Sequence, residues 1–141
     1  TEIIVTSEGP KIVEVGARLG GDNITTHLVP LSTGVNMVES CIKIALGEKP
    51  DIKPKYNKGS AIRYFKQRAG IVRSIKGIEI AEQIEEIRQI SIVHGIGERV
   101  TEIDSSGSRM GFVITQAKDR KSAVDACNKA LEKIQIEIEE C

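Results

Sequence analysis

The stretch that organises the chain is its first 22 residues, TEIIVTSEGPKIVEVGARLGGD. Two runs rich in β-branched residues, Glu2–Thr6 and Lys11–Ala17, flank the short segment Ser7–Gly9. β-branched residues favour strands, and a glycine between two strands suits the positive φ of a tight loop. The pattern therefore predicts a β-hairpin closed by a three-residue loop.

The register of this hairpin brings two acidic residues together. With a three-residue loop, Ile4 lies opposite Ile12 and Glu2 opposite Glu14. Side chains alternate between the two faces of a strand, so Glu2 and Glu14 then share one face with Arg18.

That face has the chemistry of a metal and phosphate site. Two carboxylates placed opposite each other repel, and a bound cation between them removes the repulsion; hard oxygen ligands suit Mg²⁺. Arg18 adds a planar fork of donors that fits a phosphate or a carboxylate. Gly16, Gly20 and Gly21 would allow a ligand to approach the backbone closely.

A simpler interpretation of the same residues stays open. Glu2 and Glu14 are also what a half-exposed hairpin would present to solvent. A register shift of one residue would place them on opposite faces of the hairpin, because side chains alternate along each strand.

Composition sets limits on the protein class. The chain has 141 residues, a net charge of zero and only two Tyr and two Phe as aromatics, which disfavours a nucleic-acid platform. No apolar run approaches the roughly 20 residues that span a bilayer. Cys41 and Cys127 fall in apolar helical patterns and are expected to be buried; with Cys141 they show no disulfide or zinc spacing, which favours the cytoplasm.

The rest of the chain predicts an α+β fold. Asp22–Leu31 is expected to be a connecting segment, followed by a helix that Ser32, Thr33 or Asn36 could cap and that Gly47 ends. Residues 51–59 are polar and predict a linker between a first unit, 1–50, and a second, 60–141. The second unit alternates short strands with helices, typical of a small, mainly antiparallel sheet with helices on one face. It shows no catalytic constellation.

Glu2, Glu14 and Arg18 also carry a family resemblance. The string EIIVTSEGPKIVEVGARLGGD resembles the closing segment of ATP-grasp ligase domains, which have an acid, a second acid twelve residues on and an arginine four residues later. LVPLSTGVNMVESCIKIALGE resembles the helix that follows in the branch containing L-amino-acid ligases. Residues 59–141 are similar, more loosely, to the small C-terminal subdomain of that branch.

The resemblance implies an ATP-dependent carboxylate–amine (or thiol) ligase acting through an acyl-phosphate. Glu2 and Glu14 would hold Mg²⁺ ions that bridge the ATP phosphates, and Arg18 would stabilise charge on the acyl-phosphate and the tetrahedral intermediate. Gly20 and Gly21 would line the nucleotide site. Many relatives have an asparagine where this chain has Gly16, so water or a backbone group would complete the metal shell.

The resemblance also bears on completeness and partners. The glycine-rich loop and lysines that clamp ATP in this family are expected upstream of Thr1, so we expect the chain to be a C-terminal piece of a longer ligase, inactive alone. Its partners would be ATP, a small carboxylate and an amine, with no nucleic acid and no membrane; a homodimer is compatible with this. The alternative is a non-catalytic module that binds a small ligand or oligomerises.

Overall fold

The computed structural model describes residues 1–140. Its strands are β1 (Glu2–Thr6), β2 (Gly9–Glu14), β3 (Gly59–Tyr64), β4 (Gly70–Lys76), β5 (Ile87–Ile92), β6 (Arg99–Val100), β7 (Gly111–Ala117) and β8 (Gln135–Glu139). The α-helices are α1 (Val29–Thr33), α2 (Met37–Ala45), α3 (Ile78–Ala81) and α4 (Arg120–Lys133); a π-helical turn spans Ile24–Leu28 and a 3₁₀ turn Ser106–Ser108. The α+β class is confirmed.

The predicted hairpin is present, but its loop has two residues and not three. Thr6 pairs with Gly9, so Gly9 opens β2 with a φ of 102° and Ile4 lies opposite Lys11. The Thr6 hydroxyl holds this tight closure, since Oγ1 donates to the Gly9 carbonyl at 2.8 Å and accepts from the Glu8 N–H at 3.2 Å. The expected pairing of Ile4 with Ile12 is therefore wrong.

Glu2 nevertheless lies opposite Glu14, because the register shifts once more along the hairpin. Ile3 pairs with Ile12 and the next pair is Glu2 with Glu14, which leaves Val13 as an extra residue in β2. Such a β-bulge adds one residue to one strand and changes the register beyond it. The shorter loop and the bulge shift the register by one residue in opposite directions. The predicted pairing of Glu2 with Glu14 is therefore retained.

Residues 24–33 are helical, whereas a connecting segment was expected over Asp22–Leu31. Asp22 and Asn23 take left-handed φ values of 50° and 61° and lead into the π-helical turn, which continues directly into α1. Asn and Asp tolerate this conformation better than other non-glycine residues. The prediction was wrong because Asp22 and Asn23, which are typical loop residues, here lead directly into a helical segment.

Helix α2 has the two ends that the sequence predicts. The Asn36 side chain accepts a hydrogen bond from the Glu39 N–H at 3.0 Å, which satisfies one free donor of the first turn. At the other end Gly47 has a φ of 76°, and the Glu48 N–H bonds the Lys43 carbonyl at 2.8 Å, a Schellman closure.

We call residues 59–139 the C-terminal unit. It consists of two small antiparallel sheets packed with α4. One sheet has the order β3-β7-β5 and the other β6-β4-β8, so β8 is an edge strand. Helix α4 packs mainly on β3 and β7. Asp119 caps α4 by accepting from the Ser122 N–H at 2.7 Å. The side chains buried most completely in this core are Met110, Ile114, Val72, Val100, Val113, Thr115 and Cys127.

The N-terminal unit, by contrast, buries little apolar surface. Ile4 and Val5 are adjacent in β1 and so lie on opposite faces of the hairpin; they are 55% and 83% exposed, so both faces are open. Leu46 is 68% exposed at the end of α2, and Cys41 is exposed, so the expectation that it is buried was wrong. An apolar stripe on α2 is 38–68% exposed; it consists of Val38, Ile42 and Leu46. Cys127 is buried as expected, and Cys141 lies outside the described residues. No helix within the described range is long and apolar enough to cross a bilayer.

Candidate metal and phosphate site

The candidate site begins with the two glutamates of the hairpin. Glu2 and Glu14 are cross-strand partners, so their side chains leave the sheet on the same face. Both residues are exposed, and across residues 1–140 neither carboxylate forms an ion pair. The face therefore holds two adjacent negative charges without a protein cation between them.

This donor set fits Mg²⁺ bound together with phosphate. Mg²⁺ commonly takes one or two carboxylates and completes its shell with water and substrate phosphate oxygens. Within the described part of the chain, no group of three His, Cys, Asp or Glu side chains could hold a metal by itself. Glu2 and Glu14 fit a shared metal–phosphate site and not a closed protein cage.

Arg18 follows β2 in an irregular, exposed stretch. One guanidinium nitrogen donates to the neighbouring Leu19 carbonyl at 3.0 Å, and in the described chain Arg18 pairs with no carboxylate. Its remaining donors are thus free for an anion. The structure brings Glu2 and Glu14 together, but it shows no contact between Arg18 and either of them.

The glycines near Arg18 differ in their surroundings. A Cβ at Gly21 would meet nothing within 4 Å, whereas a Cβ at Gly20 would touch Ile24 at 3.5 Å, an ordinary contact. Neither glycine has a positive φ. The fold thus has no need for glycine at position 21, and bare backbone there is free for a ligand.

Arg109 and Tyr64 connect this region to the C-terminal unit, and the sequence analysis did not predict a role for either of them. Arg109 Nη1 donates to Asp22 Oδ1 at 2.8 Å, although the two residues are 87 positions apart. The Arg109 guanidinium carbon also lies 4.1 Å from the centre of the Tyr64 ring. The one sequence signal was Asp22-Asn23 after two glycines, which marks a left-handed turn; nothing local marks Arg109 as its partner.

Tyr64 supports the Arg109 side chain that pairs with Asp22. Its hydroxyl oxygen is buried and has no hydrogen-bond partner in the described structure. Burial first, and then the negative charge of Asp22, raise the pKa of the Tyr64 hydroxyl, while the Arg109 charge opposes both. The ring serves as a platform for Arg109, and the hydroxyl stays neutral near neutral pH.

Residues 63–139 match the family model described as L-amino acid ligase C-terminal domain 2. That range covers more than half of the chain. The chain belongs to this family. A sequence relative is phosphoribosylamine–glycine ligase of Methanococcus maripaludis, 26% identical over 141 residues, with 97% of this chain and 31% of that protein covered.

Several solved structures share the fold of this L-amino acid ligase C-terminal chain. Phosphoribosylglycinamide synthetase of Anaerococcus prevotii has a TM-score of 0.80 at 19% identity, covering 97% of this chain and 36% of that one. L-amino acid ligase of Bacillus licheniformis has a TM-score of 0.77 at 20% identity, covering 98% and 35%. The biotin carboxylase domain of Hydrogenobacter thermophilus 2-oxoglutarate carboxylase, solved with MgADP and bicarbonate, has a TM-score of 0.69 at 21% identity, covering 96% and 31%.

The chain therefore corresponds to the C-terminal part of a ligase, as the resemblance of its sequence to ATP-grasp ligases implied. It spans about a third of the length of the curated relatives it matches. The relatives and structural neighbours with a named activity include phosphoribosylamine–glycine ligase and L-amino acid ligase.

Proposed function

We propose that this chain contributes the Mg²⁺- and phosphate-binding residues of an ATP-dependent carboxylate–amine ligase. The observation that carries the proposal is the cross-strand pair Glu2–Glu14, exposed and unneutralised, with the free guanidinium of Arg18 a few residues away. Membership of the L-amino acid ligase C-terminal family supports it, and so does the MgADP in one structural neighbour.

In the proposed reaction a carboxylate oxygen of the substrate attacks the γ-phosphorus of ATP and ADP departs. The amine then attacks the carbonyl carbon of the acyl-phosphate, and phosphate leaves. Bound Mg²⁺ neutralises phosphate charge, which is most of what phosphoryl transfer needs from an enzyme. Glu2 and Glu14 hold the metal, and Arg18 donates to the oxygens on which negative charge builds up.

The surface of the N-terminal unit supports a role as one part of a larger active site. Both faces of the hairpin and the apolar stripe of α2 are exposed in this chain, with Val5, Val15 and Leu46 as clear examples. Apolar area of this extent on a soluble protein marks a contact surface. We propose that the rest of the ligase covers it and supplies the other ATP-binding groups, and that the chain alone is inactive.

The test compares two glutamates of the same hairpin in the full-length ligase. Glu14→Gln removes one metal ligand and keeps the side-chain size. Glu8→Gln is the matched control, because Glu8 lies in the hairpin loop and pairs only with Lys11, at 3.0 Å. Amine-dependent ADP release is measured over a panel of amino acids offered as carboxylate and amine substrates.

We expect Glu14→Gln to lower the rate by about 100-fold or more, whereas Glu8→Gln stays within about twofold of the parent. Unaltered turnover in Glu14→Gln would contradict the role of Glu14 as a metal ligand. ADP release that depends on no amine in the panel would contradict the carboxylate–amine assignment.

A second candidate function is a non-catalytic binding module, favoured by a cleft whose lining residues all lie in the C-terminal unit. This cleft, of about 630 Å³, is lined by the cations Lys66 and Lys76 together with Ser74 and Glu137, while the charge of Arg68 beside it is already paired with Glu140. Its excess of positive charge suits a small carboxylate or phosphate. Binding of inorganic phosphate or free amino acids that is lost in Lys76→Gln but kept in Glu14→Gln would favour this function.

A further inference from the structure

We propose that Arg109 is a positioning residue that holds the Arg18–Asp22 segment in place from the C-terminal unit. The inference rests on the proposed function of Arg18. It assigns to the C-terminal unit a direct part in shaping the phosphate site, through one ion pair that joins the two units.

The segment needs an external restraint because of its own sequence. Gly20 and Gly21 lie between Arg18 and Asp22, and glycine has the largest conformational freedom of any residue. The backbone beyond them is strained, since Asp22 and Asn23 both have left-handed φ values. Such a conformation persists where neighbouring contacts impose it.

Two contacts impose it here, one local and one distant. The Thr25 hydroxyl donates to the Gly20 carbonyl at 2.9 Å, and Thr25 is 8% exposed. From the other side Arg109 donates to the Asp22 carboxylate at 2.8 Å. The turn is thereby held at its start by Thr25 and at its strained point by Arg109.

Arg109 is itself well anchored. Its side chain is only 25% exposed, and its guanidinium stacks over the Tyr64 ring of β3 at 4.1 Å. The next residue, Met110, is fully buried in the core of the C-terminal unit. A partly buried, stacked arginine keeps its geometry better than a free surface side chain, so it transmits the position of the unit to the turn.

The same ion pair also has an electrostatic role. Asp22 lies only four residues beyond Arg18, and an unpaired carboxylate so near a phosphate-binding arginine would compete for it or repel the phosphate. Arg109 neutralises Asp22 and leaves the Arg18 guanidinium available. Both roles predict that Arg109 and Asp22 act as one unit.

The test uses the full-length ligase with the variants Arg109→Gln, Asp22→Asn, the double variant and Arg109→Lys. Arg68→Gln is the matched control, because Arg68 forms an ion pair of similar length with Glu140, 2.7 Å, on the exposed surface of the same unit. Glu14→Gln reports separately on the proposed function. The readouts are kcat and KM for MgATP and, without nucleotide, hydrogen–deuterium exchange of residues 18–25.

We expect Arg109→Gln and Asp22→Asn each to lower kcat by about 10- to 100-fold with little change in KM for MgATP, because misplacing a catalytic group by about 1 Å costs that much. The double variant should be no slower than the worse single variant, and Arg109→Lys should recover part of the rate. Exchange in residues 18–25 should rise in Arg109→Gln and stay unchanged in Arg68→Gln.

The positioning role is overturned if Arg109→Gln keeps its kcat, or if the two single effects multiply in the double variant. It is also overturned if exchange rises equally in Arg109→Gln and Arg68→Gln, which would report a general loss of stability. In each of these cases an inactive Glu14→Gln leaves the proposed function standing, whereas an active Glu14→Gln removes the proposed function itself.

Discussion

Glu14 lies opposite Glu2 because Val13 is an extra residue in the second strand of the hairpin. In the regular register set by Ile3 and Ile12, Glu2 would lie opposite Val13, and Glu14 would emerge on the other face. The bulge therefore brings the two carboxylates to one face. Bulges of this kind often re-aim side chains next to functional sites.

The shared face of Glu2 and Glu14 predicts an engineered disulfide. In the full-length ligase, Glu2→Cys with Glu14→Cys should crosslink under mild oxidation, because cross-strand partners lie within the Cα separation of about 4.4–6.8 Å that disulfides need. The control is Ile3→Cys with Glu14→Cys, since Ile3 points to the opposite face. Peptide mapping by mass spectrometry identifies the crosslink. Preferential crosslinking of the control pair would show that the bulge is absent.

Gly21 provides a test of ligand approach that leaves the fold intact. A Cβ at position 21 meets nothing and the φ is ordinary, so Gly21→Ala should keep the melting temperature of the ligase. If the bare backbone admits the nucleotide phosphates, KM for MgATP should rise by about tenfold. Gly95→Ala is the matched control, because a Cβ there also meets nothing. Equal KM values for Gly21→Ala and Gly95→Ala would exclude close approach at Gly21.

Gly16 offers a gain-of-function prediction. Position 16 has no positive φ, and a Cβ there would touch only the Arg18 side chain at 3.8 Å, an ordinary contact. Gly16→Asn should therefore fold normally and supply the side-chain oxygen ligand that the family resemblance implies at this position. Titrating activity against free Mg²⁺ should give half-saturation at a lower concentration in Gly16→Asn. Unchanged Mg²⁺ dependence would place this residue outside the metal shell.

We expect that removing the Tyr64 hydroxyl does not lower the stability of the protein. The buried oxygen has no hydrogen-bond partner, and an unsatisfied buried polar group costs about 1–3 kcal/mol. Tyr64→Phe should leave stability unchanged or raise the free energy of unfolding by up to about 1 kcal/mol, and the ring that supports Arg109 remains. Urea denaturation measures this. A loss of more than about 1 kcal/mol would indicate that the hydroxyl has a partner in solution.

The sequence predicted the elements whose signals are local. Gly47 marked the end of α2, and Asn36 was one of three residues proposed to cap its start, because capping depends on side chains and φ values within a few residues. The alternation of short strands and helices in the C-terminal unit predicted the α+β class, and the order of the elements confirms it. The family followed from a resemblance that Glu2, Glu14 and Arg18 carry.

The features that the sequence did not predict depend on long-range contacts or on exact loop geometry. The two-residue loop and the bulge at Val13 both change the register by one, and residue composition does not distinguish one register from the other. The ion pair between Arg109 and Asp22 joins residues 87 positions apart, so no local pattern marks it. Cys41 lies in an apolar helical pattern but is exposed, because the pattern of one helix does not determine whether other elements pack on it.

The most direct test of the metal site is a crystal structure of the full-length ligase with ADP and Mn²⁺ in place of Mg²⁺. The anomalous signal of manganese locates the metal without reference to the protein model. We predict a peak at about 2.0–2.2 Å from carboxylate oxygens of both Glu2 and Glu14. A manganese peak bound to the ADP phosphates but away from both carboxylates would contradict the account.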